Sequence, residues 1–107
     1  METLLNEILE AAKLARRIKT SAFDSDIMAL IEAAIEVLET RGVTAIKVEG
    51  EPGTEQGAVY SIQPMAKQAV ITYVGLHFGQ PDDYDRLKEA WETQLGQLMT
   101  TSGYTRW

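Results

Sequence analysis

Apolar residues recur every three or four positions over four stretches of the chain, and this spacing predicts four helices with one apolar face each. The predicted helices cover residues 3–19, 24–41, 64–78 and 82–99. Asp24 is expected to cap the second helix through its carboxylate, and Gly42 stands where a left-handed residue would end it. The third helix is apolar nearly all round, which indicates that it is buried on several sides.

Between the second and third helices the apolar spacing changes to every second residue, over residues 43–49 and 58–62. That alternation predicts a hairpin with a long, acidic, glycine-rich tip, and the alternative is an extended loop without regular pairing. The fold class is therefore mainly α. We expect one compact four-helix domain over residues 1–99, with a hairpin-like or extended insertion at 42–63 and a C-terminal tail at 100–107.

The helix faces also predict which side chains form the core. The residues expected to be mostly buried together are Leu30, Val70, Tyr73, Leu87, Trp91 and Leu95. Gly75 and Gly96 interrupt helical patterns, where each costs about 1 kcal/mol relative to alanine. They indicate either a close approach of two helices, within or between subunits, or simple tolerance.

Composition narrows the classes of function. The 107 residues include no cysteine and a single histidine, so disulfide scaffolds, thiol catalysis and multi-histidine metal sites are excluded. No pair of titratable groups has a convincing catalytic spacing, and we expect no enzyme activity, no cofactor and no metal. His77 with Asp82 and Asp83 is more typical of a helix end facing an acidic helix start than of a metal site.

Charge and hydropathy point away from nucleic acid and membranes. The formal net charge is −6, which is unfavourable for gripping phosphate backbones. No apolar run is long enough to span a membrane, and no signal peptide is visible, so a cytoplasmic origin is expected.

The second half of the sequence carries a more specific pattern. Pro64 opens a helix that contains Lys67-Gln68-Ala69 and ends near the aromatic Phe78; Gln80-Pro81-Asp82 and a fourth helix follow, and Gly103-Tyr104 lies near the end. In these residues the chain resembles the head–tail connector, or adaptor, proteins of long-tailed bacteriophages, which are also described as DNA-packaging proteins.

This resemblance implies a structural, non-catalytic role in the virion. Such proteins form a homo-oligomeric ring, expected to be a dodecamer, on the portal protein after DNA packaging. The ring extends the DNA channel, which DNA passes without specific binding, and offers a platform to a head-completion (stopper) protein or to the tail. The implied location is the head–tail interface of the virion, with the host cytoplasm during assembly and no membrane. The alternative is a small prophage-encoded helical regulatory or scaffolding module that acts by protein–protein contact.

Three groups of residues are candidates for these contacts. Tyr104, Arg106 and Trp107 in the tail are of the types that dominate binding hot spots, and the resemblance implies that this segment binds the portal. The alternative is that the tail folds back onto its own domain.

The other two groups are charged. In a head-to-tail subunit interface, the basic face of one copy could meet the acidic face of its neighbour. The basic face contains Lys13, Arg16 and Arg17, and the acidic face contains Glu32, Glu36 and Glu39. The alternative is that both faces are solvated or pair within the chain. An acidic loop contains Glu49, Glu51 and Glu55. By default it is a solvated loop, and in a connector it would face the DNA channel or meet the next protein.

Overall fold

The computed structural model describes residues 2–51, 53–55, 57–79 and 82–101. Over these ranges the chain forms a mainly α fold with a small two-stranded sheet, as predicted. In chain order the elements are α1 (Glu2–Ala15), α2 (Asp24–Thr40), β1 (Ile46–Glu49), β2 (Val59–Ile62), α3 (Pro64–His77) and α4 (Tyr84–Thr100). The strands pair antiparallel, so the insertion is a hairpin and not an unpaired loop.

Helix α3 is the central element, because it packs against α1, α2 and α4. Pro64 occupies its first turn, where the missing N–H group costs no hydrogen bond. Its inward positions include Ala66, Ala69 and Val70, all fully buried, and the small alanines let neighbouring helices approach closely. The prediction that this helix is buried on several sides is confirmed.

Helices α1 and α2 end in the same hydrogen-bonded motif. After α2, Gly42 takes a positive φ of 83°, and the Val43 N–H donates to the Leu38 carbonyl at 2.9 Å. After α1, Arg17 takes a positive φ of 57°, and the Ile18 N–H donates to the Lys13 carbonyl at 2.8 Å. Both are Schellman endings, with glycine in the left-handed position of one and arginine in the other.

The prediction that the first helix runs to residue 19 is therefore wrong. The chain leaves the helix after Ala15, since Arg17 reverses its direction. Ile18 then packs against the core as a partly buried residue. This early ending leaves room for the connection into α2.

Asp24 does not cap α2 as predicted. Phe23 holds the capping position, without a side-chain hydrogen bond, and Asp24 is the first helical residue. Its carboxylate Oδ1 lies 2.8 Å from the Lys13 Nζ. The ammonium of Lys13, a residue only 8% exposed, attracts the carboxylate away from the backbone, because a cation with little access to water needs a partner.

The hairpin is anchored at its base and extends outward at its tip. The side chain of Gln63 donates to the Thr44 carbonyl, and Val43 and Ala45 are buried in the core. Along the strands Val48 lies opposite Tyr60. Beyond the core, however, Val48 is 53% exposed and Val59 is 60% exposed.

Candidate interaction surfaces

The basic end of α1 is used largely within the chain. Arg16 Nη1 lies 3.5 Å from Asp83 Oδ2, and Arg86 Nη2 lies 2.5 Å from the same oxygen. Burial raises the pKa of Asp83, but hydrogen bonds from Arg86 and Arg16 outweigh it and hold that pKa below the ordinary aspartate value. This three-residue cluster ties the end of α1 to the start of α4.

Lys13, also on the basic side of α1, forms an ion pair with Asp24 within the chain. Its hydrogen bond to Asp24 raises the pKa of Lys13 above the ordinary lysine value. Because Lys13 and Arg16 both have intrachain partners, only Arg17 of the predicted basic group is left as an exposed side chain. Two of the three cations in the predicted basic-to-acidic subunit contact thus have partners within the chain, and the contact itself stays a prediction.

The acidic side of α2 is solvent-facing. Glu32, Glu36 and Glu39 are all exposed and lie three or four residues apart along one side of the helix. Their role in a contact between subunits stays a prediction.

The acidic loop is exposed and locally ordered. Glu49, Glu51 and Glu55 are exposed, and the Thr54 hydroxyl donates to the Glu51 carbonyl at 2.8 Å. The Gly57 N–H donates to the Thr54 hydroxyl at 3.1 Å. These bonds make the tip a narrow turn that presents carboxylates to solvent.

The predicted core residues are all buried or partly buried, but α4 is covered less completely than α3. Val70 is fully buried, but Leu30, Tyr73, Leu87, Trp91 and Leu95 are only partly buried. Helix α4 packs mainly on α3, and Leu98 is its one buried residue among those described. A single neighbouring helix cannot cover the whole apolar face of α4, so part of that face stays open.

The uncovered face forms a groove of about 560 Å³, here called the α4 groove. Its apolar lining comes from α3 and α4, and its charged rim from α4 and from Arg41, just after α2. The lining residues are Arg41, Leu76, His77, Tyr84, Lys88, Trp91, Glu92, Leu95, Gly96 and Met99. The Trp91 ring is fixed by an edge contact with Tyr73, with centroids 5.1 Å apart.

The two helical glycines differ. A Cβ atom on Gly75 would lie 3.4 Å from the Arg16 Cδ and 3.6 Å from the Leu87 Cδ1, so Gly75 marks a close approach inside the chain. Around Gly96 nothing lies within 4 Å of such an atom. Gly96 therefore has no packing reason in the described residues, and it lies in the α4 groove.

His77 has no site chemistry around it. Its ring contacts Tyr73, with centroids 4.3 Å apart, and Asp83 pairs with arginines instead. In the described part of the chain, no group of three or more His, Cys, Asp or Glu side chains could hold a metal ion. The tail residues Tyr104, Arg106 and Trp107 lie outside the described residues.

The chain matches one known protein family. A family model for phage connector proteins matches residues 8–105, nearly the whole chain. The chain belongs to the phage connector protein family. This connector is thus a structural component of the bacteriophage virion, of a kind that is not enzymatic. No curated protein and no solved structure matches it.

Within the connector, none of the described helices is long and apolar enough to cross a bilayer. Sequence reasoning missed the α4 groove, which the fold creates because α4 packs mainly on α3. The sequence did contain an indication of this groove. Met99 continues the apolar stripe of Trp91 and Leu95, and one neighbouring helix does not cover the whole stripe. An exposed face of this kind is typical of proteins that assemble with others.

Proposed function

We propose that this connector forms a ring on the portal protein at the head vertex, where it extends the DNA channel and provides the platform for head completion or tail attachment. The family match over residues 8–105 is the observation that carries the proposal. It also favours a connector over a small prophage-encoded regulatory module. The open α4 groove supports it, since an assembly protein needs apolar surface that its own fold does not cover.

The charge of the chain suits a conduit for DNA. With a net charge of −6, a ring of many copies carries a large negative charge. Like charge reduces adhesion of the phosphate backbone, because there are few cations to release condensed counterions. DNA then passes through the ring without being held there.

The C-terminal tail is the proposed portal-binding segment. Tyr104, Arg106 and Trp107 follow closely after α4, which ends at Thr100. Two aromatics and an arginine at a chain end form the kind of anchor that dominates protein interfaces. This assignment predicts that the tail contributes to portal affinity and little to the stability of the domain.

The test is co-sedimentation of the purified protein with portal rings of the same phage. We expect the full chain to sediment with the portal and a chain lacking residues 103–107 to stay in solution. The truncated chain should keep its free energy of unfolding within about 1 kcal/mol, as expected for a chain terminus. Thr105→Ala, a change within the tail that spares the aromatics, is the matched control and should bind normally.

Two results would contradict the proposal at different levels. If the full chain does not bind the portal, the connector role on the portal is wrong. If the truncated chain binds as well as the full chain, the tail assignment alone is wrong.

A further inference from the structure

The α4 groove has an apolar floor and a mainly basic rim. Trp91 and Leu95 are partly buried in it, and Met99 is exposed along its edge. Arg41 and Lys88 are both exposed at the rim, with Glu92 as the one carboxylate lining the groove. An occupant that suits these residues has an apolar middle and acidic flanks.

The β1–β2 hairpin has the complementary character. Val48 and Val59 are more than half exposed, and Glu49, Glu51 and Glu55 surround them with negative charge. Lys47 is the one cation of the strands. The hairpin thus offers apolar side chains with acidic flanks, the reverse of the groove's rim.

The geometry of the strands indicates insertion into a groove. Val48 lies opposite Tyr60, and Val59 lies opposite Glu49, in neighbouring positions of the ladder. Because successive residues of a strand point to opposite faces, the two exposed valines lie on different faces of the hairpin. A flat partner would cover only one of them, whereas a groove with two walls can cover both.

The two surfaces lie on different parts of the chain. The hairpin packs against α1 through β2, while the groove is formed by the end of α2 together with α3 and α4. No residue belongs to both. A contact between two different surfaces of identical copies is heterologous, and heterologous contacts generate rings when the rotation closes.

We propose that the β1–β2 hairpin of one copy enters the α4 groove of a neighbouring copy, and that this contact builds the ring. The inference rests on the proposed function, since it names the subunit contact of that ring. Val48 and Val59 meet the apolar lining, and Glu49 and Glu51 meet Arg41 and Lys88. It replaces the contact expected between the charged faces of α1 and α2, where Lys13 and Arg16 already have intrachain partners.

Reversing the charges on the hairpin or on the α4 groove tests the contact between them. The hairpin variant carries Glu49→Lys and Glu51→Lys, and the groove variant carries Arg41→Glu and Lys88→Glu. Each variant sets like charges against each other when it meets itself, so we expect self-association at least about tenfold weaker than that of the wild type. Mixed together, the two variants restore opposite charges at every contact and should recover association.

The control variant changes charge to the same extent elsewhere. Glu2→Lys and Glu89→Lys alter exposed carboxylates that belong to neither surface, and this variant should associate like the wild type. Mass by light scattering over a concentration series is the readout, and circular dichroism verifies that each variant is folded.

Cysteine trapping captures the contact when association is weak. The chain has no native cysteine, so a chain with Val59→Cys and a second chain with Met99→Cys can form only engineered disulfides. We expect the mixture to give the crossed dimer under mild oxidation. Thr93→Cys, on another side of α4, is the control partner and should give little.

The outcomes separate this contact from the wider function. Recovery on mixing, together with the crossed dimer, supports it. Wild-type rings or portal binding that persist in both charge variants would overturn this contact and leave the connector function standing. Failure of the mixed charge variants to associate, together with no crossed dimer either before or after deletion of residues 103–107, would also overturn it. No self-association of the wild type, alone or on the portal, would overturn both proposals.

Discussion

Helices α1 and α2 both end in a Schellman motif, but the left-handed position is a favourable glycine after α2 and an unfavourable arginine after α1. Arg17 adopts a φ of 57° and Gly42 a φ of 83°. A non-glycine residue in this region costs roughly 1–2 kcal/mol, because its Cβ approaches the following carbonyl. Glycine avoids that cost, but its freedom in the unfolded chain opposes the gain by about 0.4–1 kcal/mol.

Arg17→Gly should therefore raise the free energy of unfolding by about 0.5–1 kcal/mol. The arginine side chain is exposed, so its removal costs little. Gly42→Ala should lower the free energy of unfolding by about 0.5–1 kcal/mol, since it places a Cβ in the same strained region and the lower freedom of alanine in the unfolded chain offsets part of that cost. In thermal unfolding, a change of about 1 kcal/mol corresponds to roughly 4–8 °C for a domain of this size.

Urea unfolding followed by circular dichroism measures both changes, at a protein concentration low enough to keep the chain monomeric. Lys19→Gly, at an exposed residue with an ordinary φ just past the turn, is the control for the entropy of an added glycine and should be mildly destabilising. If Arg17→Gly destabilises the protein as Lys19→Gly does, the left-handed ending of α1 is refuted.

Further predictions concern the core, pH and nucleic acid. Val70→Ala should cost on the order of 2 kcal/mol in urea unfolding, and Leu30→Ala clearly less, because only Val70 is fully buried; equal costs would contradict the packing of α3. The pKa of Asp83 is lowered in the folded state, so its contribution to stability is complete above the ordinary aspartate pKa and is lost as pH falls through the lower folded value. Urea midpoints over a pH series should therefore fall less steeply on acidification for Asp83→Asn than for the wild type, and parallel curves would contradict the cluster. The free protein should show no sub-micromolar binding to labelled duplex DNA at physiological salt in fluorescence anisotropy, and tight, salt-sensitive binding would contradict the proposed passive channel. Apart from the hydrogen-bonded Thr54 and Gly57, amide hydrogens of residues 50–57 should exchange rapidly in the free protein, and slow exchange at the others would mean that the hairpin tip is already packed.

The elements were predictable because their signals are local. The three-to-four spacing of apolar residues gave four helices, and the period of two gave the hairpin that pairing of Ile46 with Ile62 confirms. Gly42 signalled the end of α2 because glycine favours a positive φ. The end of α1 carried no such signal, since arginine in the same conformation is rare.

Features that depend on tertiary packing escaped the sequence. Asp24 fits the pattern of a helix cap, but Lys13, eleven positions earlier in the chain and only 8% exposed, takes its carboxylate. Similarly, the stripe of α4 predicts an apolar face and not how much of it a neighbour covers. Only the packing of α4 on α3 shows that Trp91 and Leu95 are partly and not fully buried.

For the same reason, only part of the candidate surfaces could be predicted from the sequence. Exposure of Glu32, Glu36 and Glu39 follows from the helix pattern. The partner of Arg16 is Asp83, which is distant in sequence and becomes a neighbour only when the end of α1 meets the start of α4. Long-range charge pairs of this kind leave no periodic trace in a single sequence.

We propose that this connector assembles as a ring on the portal. Electron microscopy of portal rings incubated with the purified protein tests it most directly, with portal alone as the reference. We expect an added ring of density at one end of the portal, coaxial with its channel and built from repeated copies of this helical domain. Portal particles that are unchanged by a large excess of the protein, or that carry it as isolated copies off the channel axis, would contradict it.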